Sequence, residues 1–399
     1  MNLRQLFQQH LAPTSPAPMN LEMVRAEGVY LWDASGKRYI DLIAGFSVSN
    51  IGHSHPAVVQ AVQEQAARYM HLMVYGELIQ SPVVSYARLL TSHLPTELDC
   101  VYFTNSGAEA TEGAMKLAKR VTGRTKMIAF HHAYHGSTQG ALSLIGDEYW
   151  RRSFRPLLPG IYHFPYGKEE VLEAIDHSTA CVILETVQAE SGVTAPNPTW
   201  LQQVRKKCDA TGTLLILDEI QAGFGRTGTL WAFEQMGIQP DILLLGKALG
   251  GGMPLGAFIA SKDRMHQLSY QPVLGHITTF GGHPVSCAAG MAAMEVLLSS
   301  GCIDRVKQKE KFLLQTLQHP AIQSIQSAGC WMSLQFASSP LNQQVVHQCV
   351  KNGLLTDWFI FAPDRLRIAP PLTIEDEVLE EVVQIILRSI DEVTTARCG

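Results

Sequence analysis

The chain has 399 residues, 46% hydrophobic and 17% charged, a globular composition without the bias of disordered or low-complexity proteins. Its net charge of −5 offers no basic field for nucleic acid, and no apolar run approaches the ~18 residues of a membrane helix.

The opening MNLRQLFQQHLAP carries charge and glutamine where a secretory leader needs an unbroken apolar core, so a soluble cytoplasmic protein is expected. Next, VYLWDASGKRYIDL places a turn between two strand-like runs. CVYFT (100–104) precedes a helical pattern, AEATEGAMKLAKRVTG. KMIAF (126–130), ACVILET (180–186), LLILDEI (214–220) and DILLLG (241–246) are apolar on both faces and lie a helix length or more apart. These four runs read as buried parallel strands of an α/β sheet covered by helices, with CVYFT a strand leading into its helix. After about residue 297 the texture changes. IDRVKQKEKFLLQTLQ and NQQVVHQCVKNG look helical, and CWMSLQF and RLRIA look like strands. The expected organisation is a large domain over 56–296 and a smaller α+β domain built from 1–55 and 297–399. The cysteines Cys100, Cys181, Cys208, Cys287, Cys302, Cys330, Cys349 and Cys398 form no C-x-x-C pair and no ligand-spaced cluster. Reduced thiols are expected, with neither a disulfide framework nor a metal site.

Gly223, Gly225 and Gly228 spell G-x-G-x-x-G after an apolar strand, the dinucleotide fingerprint. That fold needs its first glycine directly at the strand end, and an acid closing the next strand about 20 residues on. Here four residues separate Asp218 from Gly223, and DILLLG runs into Lys247. The dinucleotide reading fails on both counts.

Ligands of open parallel sheets sit beyond the carboxyl ends of the strands, where Asp218 and Lys247 stand. Alone, the two could be an ion pair in a core. Ser106-Gly107-Ala108 would put free N–H groups at a helix N-terminus, a phosphate seat, although an ordinary serine N-cap would read the same. Tyr134, before His135, could be core or could cover a flat ring. Carboxylate, lysine, phosphate seat and aromatic lid together suit pyridoxal phosphate. Its aldehyde needs an amine, its ring nitrogen an anion and its phosphate a helix terminus.

At these residues the chain resembles the class III aminotransferases, pyridoxal-phosphate enzymes of fold type I. The resemblance is carried by YLWDASGKRYIDLIAGFSVSNIGHSHP, FTNSGAEA, AYHGST, VILETVQAESGV, LILDEIQAGFGRTG, DILLLGKALGGGMPLGAF, HITTFGGHP and RLRIAPP. It implies that Lys247 joins the aldehyde, that Asp218 pairs with the ring nitrogen and that Gln221 bonds the phenolic oxygen. It further implies Tyr134 and Ile220 on the two ring faces and Ser106, Gly107 and Ala108 on the phosphate. Thr279 would reach the phosphate of a neighbouring subunit, so a homodimer with shared sites follows. His135 and Glu185 would orient these groups. Glu190 and Arg367 would form a gate, the arginine binding a substrate carboxylate when the glutamate releases it. The glycines 223, 225 and 228 then shape a loop after the strand.

The implied reaction passes an amino group from an amine to a 2-oxo acid, 2-oxoglutarate or pyruvate, with ping-pong kinetics. Members acting on ornithine or acylornithine usually carry an arginine where Ser137 stands and a tyrosine where Phe46 stands. Their GGNP is GGHP here, with His283, and their Glu-Pro is Glu185-Thr186. These departures weaken ornithine and acylornithine as donors and lean toward diamines and other ω-amines. Arg151, Arg152 and Arg155 are read as solvated charges. A racemase or aminomutase of the same fold is the rival reading; the Glu190–Arg367 gate suits a two-substrate transferase, and a requirement for an added oxo acid separates them.

Overall fold

The computed structural model describes residues 2–74 and 76–395, organised around three sheets; Cys398 lies outside the described residues. Strands β1 (Met23–Glu27), β2 (Tyr30–Asp33) and β3 (Arg38–Asp41) form an antiparallel meander. The β2–β3 turn is tied by Asp33, whose Oδ1 accepts from the N–H groups of Ser35 at 2.9 Å and Lys37 at 3.0 Å.

The large sheet holds β4 (Cys100–Thr104), β5 (Lys126–Phe130), β6 (Ile161–Phe164), β7 (Thr179–Glu185), β8 (Leu214–Asp218), β9 (Ile242–Leu245) and β10 (Gly256–Ala260). Its order is β4-β10-β9-β8-β7-β5-β6. Strands β7, β8 and β9 are buried along their whole length, as the apolar runs require. Alternate residues serve opposite layers. Ile183, Ile216 and Leu244 pack with Ala110, Ala114 and Leu117 of the helix Gly107–Thr122. Val182, Leu184 and Leu215 pack with Trp200 and Val204 of the helix Pro198–Thr211.

Two strands depart from expectation. The strand β10 is antiparallel to both neighbours, so β4 runs in the same sense as β9 but pairs only with an antiparallel strand. The cause is the short link after Lys247, which has no room for the crossover that a parallel neighbour needs. The half-exposed β6 at the sheet edge adds a further parallel strand beside β5.

Strands β11 (Ser324–Ser327), β12 (Met332–Gln335) and β14 (Arg365–Ile368) make a third, antiparallel sheet, while β13 (Leu354–Leu355) adds to β3. A separate core joins the N- and C-terminal segments: Ile40 and Leu42 pack with Leu313, Leu334, Leu366 and Ile386. Among the described residues, seven cysteines are free thiols and no helix is long and apolar enough to cross a membrane.

The glycine loop serves this packing. Gly225 has φ +84°, and a Cβ there would stand 2.8 Å from Ile303. It delivers the fully buried Arg226, whose Nη1 donates to Pro370 O at 2.6 Å and Cys330 O at 3.2 Å, while Nη2 donates to Asn50 Oδ1. Burial brings this guanidinium down to about 10. Arg226→Met should strand three acceptors that the arginine satisfies. Net of the desolvation it relieves, the expected loss is about 3 kcal/mol, a fall in Tm of about 4 °C by scanning calorimetry. An unchanged Tm would mean that the arginine does not tie these segments together.

Candidate active site

Common strand sense gathers six strand ends on one edge of the large sheet, and five of them, β4, β5, β7, β8 and β9, lead to candidate residues. Register puts Glu185 of β7 beside Asp218 of β8, and Asp218 beside Leu244 of β9, three residues before Lys247. The turn after β5 brings Tyr134 and His135 to the same edge, and the turn after β4 brings Ser106.

Asp218 is 4% exposed and each of its oxygens has one protein partner: Oδ2 pairs with His135 Nδ1 at 2.7 Å, and Oδ1 accepts from Ile220 N at 2.9 Å, which leaves acceptor capacity on the carboxylate. Burial opposes a charge on His135, but the hydrogen bond and charge of Asp218 outweigh it and raise the imidazole's pKa. Glu185 accepts from Tyr134 N at 3.0 Å and Ala189 N at 2.9 Å, which fixes the turn carrying the tyrosine; burial pushes its carboxyl up to about 7. Lys247 follows β9 with φ +50°, a left-handed backbone unusual for a residue with a side chain. Burial lowers its pKa, although Asp218, Glu190 and Glu185 all pull the other way. Among the described residues, none accepts a hydrogen bond from its amine.

Ser106 is the N-cap of the helix Gly107–Thr122, its Oγ accepting from Glu109 N at 3.2 Å. Helix geometry leaves the N–H groups of Gly107 and Ala108 without intrahelical partners. Gly107 has a packing role too, because a Cβ there would meet Ile220 Cδ1 at 2.7 Å. Ile220 thus lies against the phosphate-seat turn and, at Gly246, against the lysine turn.

The buried Glu190 and Arg367 form a bidentate pair, Nη1 to Oε1 at 3.2 Å and Nη2 to Oε2 at 3.1 Å. Burial pushes Glu190 up, but Arg367 outweighs it and holds the carboxyl below its ordinary value. Gln221 Nε2 points at Glu190 Oε1 from 3.4 Å. Phe46, on a turn with φ +62°, faces the guanidinium at 5.1 Å. Two buried polar atoms of this group, His135 Nε2 and Gln221 Oε1, have no partner. An unpaired buried polar group is costly. A flat ligand with polar ring substituents, an aldehyde and an anionic tail fits the free amine, the unpaired atoms and the helix terminus, so these residues suit pyridoxal phosphate.

Other candidates stand apart from this group, Thr279 as expected of a residue read as serving a neighbouring subunit. Thr279 is exposed and makes no hydrogen bond to this group within the chain. Arg151 is not solvated. It grips Glu148 at 2.6 Å and His163 at 3.1 Å, while Arg155 shares Glu148 at 2.7 Å and Arg152 leans on Tyr149. Thr186 has its own task, its hydroxyl donating to the buried Glu219 at 2.9 Å. Sequence reasoning missed Asp357, which accepts from Arg367 Nε at 2.8 Å, and Phe359, whose ring lies 4.2 Å from the guanidinium. The only signal was an acid ten residues ahead of that arginine, which no spacing rule picks out.

The model of the family described as Aminotransferase class-III matches residues 12–390. The acetylornithine aminotransferase of Streptomyces coelicolor is 40% identical over 95% of this chain and 93% of its own length. That of Methanopyrus kandleri is 39% identical over 96% and 97%. Among solved structures, the ornithine aminotransferase of Toxoplasma gondii, described with partial occupancy of pyridoxal phosphate, superposes with a TM-score of 0.91 at 30% identity, covering 99% of this chain and 95% of that one. An (S)-enantioselective ω-transaminase from Thermomicrobium roseum gives 0.90 at 29%, covering 98% and 99%.

Proposed function

Because this chain belongs to the class III aminotransferases, we propose that its donors are diamines and other ω-amines and that Lys247, Asp218 and their neighbours are its reaction centre. The protein is a pyridoxal-phosphate-dependent enzyme that transfers an amino group to a 2-oxo acid. When bound, the cofactor supplies a carbonyl that takes up the amine and a ring that accepts the electrons left as a C–H bond breaks.

In this reading Gly107 and Ala108 offer N–H groups to the phosphate, with Ser106 beside them, and Asp218, held by His135, keeps an anion at the ring nitrogen. Tyr134 and Ile220 bound the ring faces and Gln221 serves its phenolic oxygen. Lys247 contributes its amine, favoured in the neutral form by burial. Once free, its Nζ lifts the proton from the substrate carbon that bears nitrogen. A homodimer would bring Thr279 to the partner's phosphate. Exposed apolar side chains on the neighbouring segments, Met70, Leu72, Ile79, Ile277 and Phe280, support such a face.

The observation that carries the donor class is the closed Glu190–Arg367 pair. With its cation neutralised and Ser137 in place of an arginine, the pocket offers a donor carboxylate little. The relatives' names make acetylornithine the competing donor. In a panel with 2-oxoglutarate or pyruvate, kcat/KM for 1,4-diaminobutane, which has no carboxylate, should exceed that for N-acetylornithine or ornithine by about tenfold, ~1.4 kcal/mol of transition-state discrimination. The reverse ranking overturns the donor assignment, and turnover without any oxo acid would favour an isomerase.

A further inference from the structure

Arg367 is held by two carboxylates. Glu190 occupies the Nη1–Nη2 end, while Asp357 Oδ1 takes Nε at 2.8 Å. The backbone fixes the second partner, because Arg367 N donates to Asp357 O at 3.0 Å, and the next residue, Trp358, accepts from Nη2 at 3.1 Å. The ring of Phe359 flanks the guanidinium. Ile360 N and Phe361 N, in turn, hold the Oε2 and main-chain oxygens of Glu190 at 3.1 Å and 3.0 Å. The segment from Asp357 to Phe361 therefore grips both members of the gate.

A substrate carboxylate that binds in the planar two-point manner must use the Nη atoms that Glu190 occupies. While Glu190 is away, a guanidinium only 1% exposed would have no counter-charge unless another anion stayed. An unpaired buried charge is strongly unfavourable, and a long side chain would swing to relieve it. Asp357 meets both needs: it remains on Nε, which a two-point carboxylate at the Nη end leaves free, and it keeps the plane aligned.

We propose that Asp357 is a positioning residue for the oxo-acid half-reaction, anchoring Arg367 through Nε so that Glu190 and the substrate carboxylate exchange on the Nη pair alone. This rests on the reading that Arg367 receives the oxo acid.

The test uses cofactor-loaded enzyme carrying Asp357→Ala, Asp357→Asn or Arg367→Met. Two readouts are the dissociation constant of glutarate, a dicarboxylate with no oxo group to react, by calorimetry, and the KM for 2-oxoglutarate. The third is the maximal rate of the amine half-reaction with a diamine. Asp357→Ala should weaken glutarate and raise the oxo-acid KM by about tenfold or more, with the amine half-reaction within about twofold of wild type. Asp357→Asn retains an acceptor for Nε but not the counter-charge, so its glutarate affinity should fall between those of the alanine variant and the wild type; an asparagine variant as weak as alanine would put the whole effect on charge, and a loss in neither would overturn the proposal. Should the alanine variant fail to fold, Asp357→Ser, too short to reach Nε, takes its place. Unchanged glutarate affinity in the alanine or serine variant, or equal losses in both half-reactions, overturns the proposal. If Arg367→Met also binds glutarate normally, the reading of Arg367 itself fails; if it loses glutarate while Asp357→Ala does not, only the anchoring role falls.

Discussion

Lys247→Ala is expected to lose at least about 10⁴-fold in kcat, or ~5 kcal/mol of barrier, while still binding pyridoxal phosphate. Two functions disappear together: the amine that joins the aldehyde, and the base that moves the substrate proton. Neither has an understudy, since His135 is committed to Asp218 and Glu185 to backbone N–H groups. The fold should survive, because the lost amine has no hydrogen-bond partner among the described residues. Alanine would inherit the left-handed backbone at 247, whose cost of about 1–2 kcal/mol the lysine already bears. Stopped-flow spectra with a saturating amine provide the check. Borohydride reduction of loaded wild-type enzyme and peptide mapping should place the label on Lys247. Label at another lysine, or turnover near the wild-type level in the variant, would remove the assignment.

Asp218→Asn is expected to lower kcat by roughly 10³-fold, ~4 kcal/mol, by taking away the anion that keeps the ring nitrogen cationic. The amide is close in size and can still hydrogen-bond His135, so the effect reports charge more than packing. A second readout needs no turnover. The carboxylate holds the His135 imidazole above its ordinary value against burial, so in the asparagine variant its titration, followed by NMR, should move to lower pH. A rate within about threefold of wild type would reject the electron-sink role. A normal rate with a shifted imidazole would leave Asp218 with positioning work only.

The parts of the fold visible in the sequence are those where burial is uniform. LLILD and ILLL are apolar on both faces because helices cover both sides of β8 and β9, so composition alone marks them. GAFIA escaped because a five-residue run opening on glycine, so soon after Lys247, offers neither periodicity nor a crossover helix. SIQS of β11 has no fully buried residue and hence no apolar signature. The candidate site was readable where the proposed roles fall at strand ends, as with Asp218, Lys247 and Ser106. It was unreadable where function depends on tertiary approach. Asp357 reaches Arg367 only because strand register folds its loop back over β14, and Thr186 is explained only by the burial of Glu219 beneath it.

The antiparallel strand β10 begins at Gly256, where a Cβ would collide with the main-chain oxygen of Ser106. Together with the Ile220 side chain seated on Gly107, this packs tightly around the turn proposed to seat the phosphate. At the opposite end, Phe46 is 43% exposed and Ser137 lies open to solvent. Tolerance to mutation is consequently lopsided. Libraries aimed at bulkier amines have more freedom at position 137 than at 46, whose left-handed backbone and ring beside Arg367 limit it, whereas a side chain added at 256 would deform the proposed phosphate seat.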